Sequence, residues 1–205
     1  MPDSFYRLER IEGIRALRLH SLDDTNRLTH DCVLALTAAV QELANKPEPM
    51  IITGNRRFFS AGADLSEIAS LSGPAAYRFS EMGQMLMNTI ENFPAPVYAA
   101  ISGYCMGGGL DLALACHRRI ASMDAVFGHR GAALGLITGW GGTRRLPRLV
   151  GKSRALLMFV AAEKVHAKTA LQHGLVDAVA THPVSEAIAR IRALTAFTRD
   201  PEEVV

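Results

Sequence analysis

The stretch GYCMGGGLDLALACHRRIA, residues 103–121, places three consecutive glycines directly before an apolar run with helical character. Glycine at the start of a helix costs backbone entropy, so Gly107, Gly108 and Gly109 indicate a place where backbone atoms approach something closely. The one acid in the stretch, Asp111, follows two residues after the last glycine. Because PVYAAIS (96–102) reads as a strand, the sequence predicts a strand, a glycine turn and a helix in direct succession.

On either side of this stretch, short apolar runs alternate with longer amphipathic ones. Further strands are predicted at GIRALRLH (13–20), PMIITG (49–54), 118–122 and 125–129. Helices are predicted for the segment after Asp24 that spaces Leu28, Cys32, Leu36, Val40 and Leu43, and for 75–93, 142–149, 153–162 and 184–197. This alternation predicts a single α/β domain over residues 1–205 and, by itself, favours a doubly wound sheet.

Composition argues against several classes of protein. A net charge of +2 with 20% charged residues leaves no basic excess for nucleic acid. The 3 cysteines form no CxxC pair, which argues against a disulfide framework and a zinc site. The start MPDSFYRLER carries charges where a signal peptide has an apolar core, and the longest uncharged stretch, 93–110, contains prolines and glycines. We therefore predict a cytoplasmic protein with no metal, no nucleic-acid partner and no membrane partner.

A second stretch, FFSAGADLSEI (58–68), also leads from small residues into a helix. Asp64 and Glu67 have the spacing of an N-cap and its reciprocal partner three residues later, which indicates a structural role for Asp64. Two loops of small residues at helix starts offer backbone N–H groups without Cβ bulk, which suits an anionic oxygen. The sequence has no GxGxxG, HExxH or GxSxG motif, so dinucleotide-binding, metalloprotease and serine-hydrolase readings have no support.

At these residues the sequence resembles the crotonase, or enoyl-CoA hydratase/isomerase, superfamily. The resemblance covers RFFSAGADL, PVYAAISGYCMGGGLDLALACHRRIAS, AVFGHRGAALGLITGWGGTRRLPRLVGKSRAL and ALQHGLVDAV, which is nearly the whole chain. It implies a spiral of ββα units in place of the doubly wound sheet, with the family's C-terminal helical extension short or absent. It also implies an acyl-CoA thioester substrate, coenzyme A only as part of that substrate with no other cofactor, and a homo-oligomer that is a trimer or a dimer of trimers.

The resemblance also implies roles for individual residues. The two oxyanion-hole amides fall on Ala63 and Gly108, and the first catalytic carboxylate falls on Asp111. The second carboxylate position falls on Gly131, and a further acid of the dienoyl-CoA isomerases falls on Gly139, so neither complete catalytic set is present. The residues that line the substrate path are implied to be Ala61, Ala63, Asp64, Leu65, Tyr104, Gly107, Gly108 and Gly131.

Several readings of these residues stay open at this point. Asp111 is either a catalytic base or a first-turn acid placed favourably against the helix dipole. His129 lies two residues before the vacant position and is either a catalytic group or a packed strand-end histidine, and Arg130 is either a carboxylate clamp or a surface charge. The function is a lyase or isomerase, a thioesterase or decarboxylase, or a non-catalytic acyl-CoA binder. Weak hydration of crotonyl-CoA is expected, with Gly131→Glu expected to raise it.

Overall fold

The computed structural model describes residues 5–197, and the statements below refer to those residues. The strands found there are β1 Tyr6–Ile11, β2 Ile14–Leu19, β3 Arg27–Leu28, β4 Met50–Thr53, β5 Phe58–Ser60, β6 Gly62–Ala63, β7 Val97–Ile101, β8 Tyr104–Met106, β9 Arg118–Ala121, β10 Val126–Gly128, β11 Val165–His166 and β12 Ala178–Val179. The α-helices there are α1 His30–Leu43, α2 Leu65–Ala69, α3 Gly73–Glu91, α4 Gly108–Ala115, α5 Gly142–Val150, α6 Lys152–Val160, α7 Ala167–Gln172 and α8 Pro183–Phe197. A short 3₁₀ turn, Gly131–Leu134, lies between β10 and α5.

The strands form one large sheet and two smaller ones. The large sheet has the order β1-β2-β4-β7-β9-β12, in which β1 and β2 pair antiparallel and the later neighbours pair parallel. The second sheet has the order β11-β10-β8-β5, and β3 pairs with β6 in a two-stranded sheet. New strands of the large sheet are therefore added in chain order from one edge to the other.

The chain alternates between the two larger sheets, and this alternation gives the fold its repeat. β4 joins the large sheet and β5 the second sheet, then β7 and β8 do the same, then β9 and β10. Helices follow each such pair of strands, so the repeating unit is ββα. The doubly wound sheet favoured by alternation alone is wrong, because strands that follow one another in the chain, such as β9 and β10, belong to different sheets.

Most predicted elements are found within one or two residues of their predicted limits. Leu28 is an exception, because it lies on β3 and α1 begins only after Thr29, whose side chain caps the helix by accepting from the Cys32 N–H. Strand β1, with the sequence YRLERI, lies at the edge of the sheet and was not predicted. It pairs with β2 through a tight turn at Glu12 and Gly13, both with positive φ.

Helix α4 runs through the interior, and every residue from Gly109 to Ala115 is buried. A helix that is apolar on all sides suits a buried position, and this makes Asp111 a conspicuous exception. The cysteines are also buried and free, and burial raises the pKa of the Cys32 and Cys116 thiols to about 12. Within residues 5–197 no helix is long and apolar enough to cross a membrane, and no cluster of side chains suited to a metal ion is found.

Candidate active site

A cavity of about 740 Å³ opens where the two loops of small residues meet. Its volume lies within the range of about 300–1,000 Å³ that is usual for small-molecule sites. The predicted site residues that line it are Ala61, Ala63, Leu65, Tyr104, Gly107, Gly108, Asp111, His129 and Gly131. Asp64 is not among the lining residues, so the fold brings together every predicted site residue except one.

The glycines allow two backbone segments to lie against each other at this cavity. Gly107 caps α4 with a φ of 51°, a left-handed conformation that favours glycine. A Cβ at Gly109 would lie 2.7 Å from the Ser60 carbonyl oxygen, and a Cβ at Gly62 would lie 2.6 Å from the Met106 carbonyl oxygen. The β5–β6 segment and the start of α4 are therefore in close contact that side chains would prevent.

The same contact brings the Ala63 and Gly108 backbones to one gap in the cavity wall. A Cβ at Gly108 would lie 3.3 Å from the Ala63 nitrogen, and a Cβ at Gly62 would lie 3.1 Å from the Gly108 nitrogen. Gly108 is the first residue of α4, and the first N–H groups of a helix have no carbonyl partner within the helix. The arrangement offers backbone donors and a helix N-terminus to an oxygen placed in the gap.

Asp111 lies one turn further along α4, with its carboxylate in the same cavity wall. It is 1% exposed, and its Oδ2 accepts a hydrogen bond from the Thr138 hydroxyl. Its Oδ1 lies 3.2 Å from Nε2 of His129, which is also buried and follows the end of β10. The His129 ring packs against Phe159, with ring centroids 5.1 Å apart.

The contact between Asp111 and His129 is close, but it is not a well-aligned hydrogen bond. Among residues 5–197, Oδ1 of Asp111 and Nε2 of His129 are the two buried side-chain polar atoms without a hydrogen-bond partner. Asp111 lies in the first turn of α4, and Oδ1 also packs against Gly142, the first residue of α5. The Thr138 hydroxyl thus pairs with one carboxylate oxygen of Asp111, and the other oxygen faces the His129 imidazole.

Of the two vacant acid positions, Gly131 cannot take a side chain without a shift of the backbone, whereas Gly139 faces a movable side chain. Gly131 begins the 3₁₀ turn, and a Cβ there would lie 2.7 Å from the Leu136 carbonyl oxygen. A Cβ at Gly139 would lie 2.9 Å from the Ser80 hydroxyl, although that group belongs to a side chain that can move. The loop at position 131 must therefore change conformation to hold a glutamate, and the rise in hydration expected for a folded Gly131→Glu variant stays a prediction.

Asp64 has a structural role, as its spacing predicted. It caps α2 by accepting from the Ser66 and Glu67 N–H groups, and it forms an ion pair with Arg27 at 3.1 Å. The hydrogen bond from the Ser66 hydroxyl is the largest of several that lower the pKa of the Asp64 carboxyl. The reciprocal half of the capping box is not formed, because the Glu67 carboxylate accepts from the His30 N–H at the start of α1.

Replacing Asp64 should weaken the fold and leave the chemistry of the cavity in place. Asp64→Ala removes the cap and is expected to lower the free energy of unfolding by about 1 kcal/mol. The stabilising effect of the lowered pKa is present above the ordinary value of 3.8 and is lost as the pH falls through the folded-state pKa. Urea unfolding should therefore show a gap between wild type and Asp64→Asn near neutral pH that closes in acid.

Ser72→Ala is the matched control for this experiment, because Ser72 precedes α3 but makes no side-chain cap hydrogen bond. It should change the free energy of unfolding much less than Asp64→Ala does. Equal effects of the two substitutions would contradict the assignment of the Asp64 cap.

Trp140 forms part of the cavity wall and was not singled out from the sequence. Its indole is packed between Gly83 of α3 and Gly108 of α4, at both of which a Cβ would collide with the ring. The indole Nε1 donates to the Phe79 carbonyl oxygen at 3.2 Å. Other apolar wall residues come from α2, α3, the loop between these helices and the segment before α5, namely Leu65, Ile68, Leu71, Phe79, Leu134, Leu136 and Ile137. The cavity beside the gap between the Ala63 and Gly108 backbones is therefore suited to an apolar group.

Cationic and aromatic side chains occupy another part of the cavity wall. Arg130 and Lys164 both line it and are exposed, and the Lys164 ammonium lies 6.0 Å from the centre of the Tyr104 ring. Tyr104 packs on Phe58 with ring centroids 5.5 Å apart. Arg130 is thus an exposed charge at the cavity. This position fits a clamp for a substrate carboxylate and also fits an ordinary surface charge, the two roles that the sequence left open.

Comparisons of this sequence with a family profile and with individual proteins point to the same family. A profile of the family described as Enoyl-CoA hydratase/isomerase matches residues 9–200. A Bacillus subtilis (strain 168) protein named "Probable enoyl-CoA hydratase" is 47% identical over 148 residues, which are 72% of this chain and 57% of that protein. Crotonyl-CoA hydratase of Syntrophomonas wolfei is 38% identical over 175 residues, or 84% of this chain and 67% of that protein. The match thus spans less than two thirds of the length of the Bacillus subtilis relative.

Comparison with solved structures shows that the fold matches that of related proteins over most of this chain. DspI of Pseudomonas aeruginosa superposes with a TM-score of 0.89 and 31% identity, over 96% of this chain and 82% of that one. Enoyl-CoA hydratase of Bacillus anthracis superposes with a TM-score of 0.88 and 30% identity, over 94% of this chain and 77% of that one. The predicted spiral of ββα units is confirmed.

Proposed function

The chain belongs to the enoyl-CoA hydratase/isomerase family, and from that premise we propose that it is an enzyme acting on an acyl-CoA thioester. The thioester oxygen is bound by the Ala63 and Gly108 amides, and Asp111 moves a proton at the adjacent carbon. One observation carries the proposal: the Asp111–His129 pair and the gap between those two amides open onto the same cavity. Coenzyme A is required only as part of the substrate.

The proposed chemistry follows from the charge that develops on the thioester oxygen. When a base removes a proton from the α-carbon, the C–H electron pair forms a carbon–carbon double bond and the carbonyl electrons move onto oxygen. Backbone donors aimed at that oxygen stabilise the enolate more than they stabilise the neutral carbonyl. In a β,γ-unsaturated thioester this enolate is conjugated with the second double bond, and return of the proton to the γ-carbon completes an isomerisation. Hydration starts instead from an α,β-unsaturated thioester: a base takes a proton from water as its oxygen adds to the β-carbon, the carbonyl electrons move onto oxygen to give the same kind of enolate, and delivery of a proton to the α-carbon completes it.

Asp111 suits the proton transfer because it lies three residues after Gly108 on the same helix. This spacing puts the carboxylate one helical turn from the amide that holds the oxygen, on the same side of α4. Its contact with His129 places a second titratable group at the site from which the carboxylate at position 131 is missing. We propose that the two residues act together as the acid–base unit.

A thioester hydrolase is the second candidate, and the Asp111–His129 contact favours it. A histidine oriented by a carboxylate is an arrangement that activates a hydroxyl nucleophile or water. Attack of such a water on the thioester carbonyl carbon would again place negative charge on the oxygen in the Ala63–Gly108 gap. The products separate the candidates, because hydrolysis releases free coenzyme A while isomerisation and hydration do not.

The purified protein should therefore be incubated with a small panel of saturated and unsaturated acyl-CoA thioesters and the products identified by mass spectrometry. We expect turnover of at least one thioester, with crotonyl-CoA hydrated at well below about 10 per second because no carboxylate stands at position 131 to hold the water. Hydration of crotonyl-CoA at or above that rate would show that His129 or another group replaces the missing acid. Binding without any turnover would indicate an acyl-CoA-binding protein.

We also propose a homo-oligomer, a trimer or a dimer of trimers, as the family resemblance implies. Helix α6 has three large exposed apolar side chains, Leu156, Leu157 and Val160, that are available for such a contact. Light scattering coupled to size-exclusion chromatography measures the assembly directly, and a monomer at micromolar concentration would contradict the proposal.

A further inference from the structure

The geometry points to Thr138 as a positioning residue that holds Asp111 in the orientation needed for proton transfer. Thr138 lies between the 3₁₀ turn and α5, lines the cavity and is partly buried. Its hydroxyl donates to Oδ2 of Asp111. We propose that this hydrogen bond fixes the carboxylate so that Oδ1 faces Nε2 of His129. The inference deepens the proposed function and rests on it where turnover is the readout.

The argument starts from the freedom of an aspartate side chain. The terminal torsion of a carboxylate joins a tetrahedral carbon to a planar one, so its energy wells are broad and do not fix the plane of the two oxygens. Hydrogen bonds must do so, and among residues 5–197 Oδ1 of Asp111 has none. The Thr138 hydroxyl is therefore the side-chain donor that decides where Oδ1 points.

The second step concerns the pair that this orientation creates. Oδ1 and Nε2 lie 3.2 Å apart and are both buried, so each depends on the other or on a substrate atom for compensation. A rotated carboxylate would leave both atoms with a larger desolvation cost and would separate the two groups proposed to share the proton. Thr138 thus acts on catalysis through Asp111, and contact of Thr138 with the reacting atoms is not required.

The substitution Thr138→Val tests this role with little change in shape. Valine retains a methyl group like the Thr138 Cγ2, which packs near Gly142, and it carries a second methyl group in place of the hydroxyl. We expect kcat to fall about tenfold or more, since a hydrogen bond to a charged group is lost, while KM changes by less than about threefold. Thr138→Ser, which keeps the hydroxyl, should recover most of kcat. Thr143→Val, at an exposed position on α5, is the matched control and should have no effect.

A readout that does not depend on turnover keeps this inference separate from the proposed function. With ¹⁵N-labelled histidine, the signal missing in His129→Gln identifies His129 among the 7 histidines. At a fixed pH, Thr138→Val should shift the His129 Nε2 resonance, whereas Thr138→Ser and Thr143→Val should leave it near its wild-type position.

Failure of the proposed function and failure of the Thr138 inference give different experimental results. If wild type turns over no thioester in the panel, the proposed function fails, and the Nε2 resonance still decides the role of Thr138. An unchanged resonance in Thr138→Val overturns the inference whatever the kinetics show. A KM effect with unchanged kcat, or a kcat loss that Thr138→Ser does not recover, also overturns it, because Thr138 would then be only a wall residue.

Discussion

Asp111→Asn is expected to lower turnover about 100- to 10,000-fold with little change in affinity for the proposed acyl-CoA substrate, because it removes the proposed acid–base group and preserves shape. The amide still accepts from the Thr138 hydroxyl, so the helix and the cavity wall should be retained. The measurement is kcat and KM on whichever thioester the product screen identifies, together with the thermal unfolding midpoint of the variant.

Asp31→Asn is the matched control for this result. Asp31 is an acid in the first turn of α1 and is exposed, so it has the same relation to a helix dipole without any contact with the cavity. Such first-turn acids contribute about 0.3–1 kcal/mol to stability. If Asp111→Asn affects only stability, as Asp31→Asn should, then Asp111 is a helix-dipole residue and the proposed acid–base role is wrong.

Loss of the Gly108 amide should give the second large effect. Removal of one oxyanion-hole donor typically lowers kcat about 100- to 1,000-fold, and proline at the first position of a helix removes the N–H with little harm to the helix. The complication is Trp140, because any Cβ at position 108 would lie 2.5 Å from the indole Cζ3. The substitution must therefore be made in a background that removes this clash.

The test compares the turnover of two double variants, Gly108→Pro and Gly108→Ala, each combined with Trp140→Ala. Both variants add a carbon at the same place, and only the proline lacks the backbone donor. We expect the proline variant to be about 100-fold or more slower than the alanine variant. Circular dichroism and the unfolding midpoint establish that both are folded. Equal turnover by the two folded proteins would show that the Gly108 amide does not hold the thioester oxygen.

Local backbone requirements explain what could be read from the sequence. The strand, glycine turn and helix around Gly107 were predictable because the hydrophobic period and the need for a left-handed residue are both local. The cap at Asp64 was predictable for the same reason. Its expected partner was not, because the Glu67 side chain is drawn to the His30 N–H, which reaches it only through tertiary structure.

The division of strands between two sheets was not predictable from apolar patterns. PVYAAIS was predicted as a strand and YCM was not, yet YCM forms β8 in a different sheet from β7, and Gly103 with a φ of 60° lies at the bend between them. A Cβ at Gly103 would collide with the Arg57 carbonyl oxygen, so the bend depends on a segment more than forty residues earlier. Family resemblance supplied the spiral because it carries this long-range information.

The same limit applies to the candidate site. The sequence placed Asp111 and His129 in it separately, but their contact arises only when the end of β10 meets the first turn of α4. Thr138 gave no signal at all, because a threonine 27 residues from Asp111 in a loop has no pattern that marks it as the donor to a carboxylate. Side chains from different segments of the chain come into contact, and form a site, only when the protein folds.

The packing of Trp140 against Gly108 also gives the protein a built-in optical probe. The chain has 1 tryptophan, so its intrinsic indole fluorescence comes from a single position in the cavity wall. The thioester proposed to bind beside Gly108 would bring its carbonyl dipole close to that ring, and such a change bears on the emission of an indole. Titrations with acyl-CoA can therefore be followed without a label, and in Asp111→Asn they separate the affinity of the cavity from the rate of its chemistry.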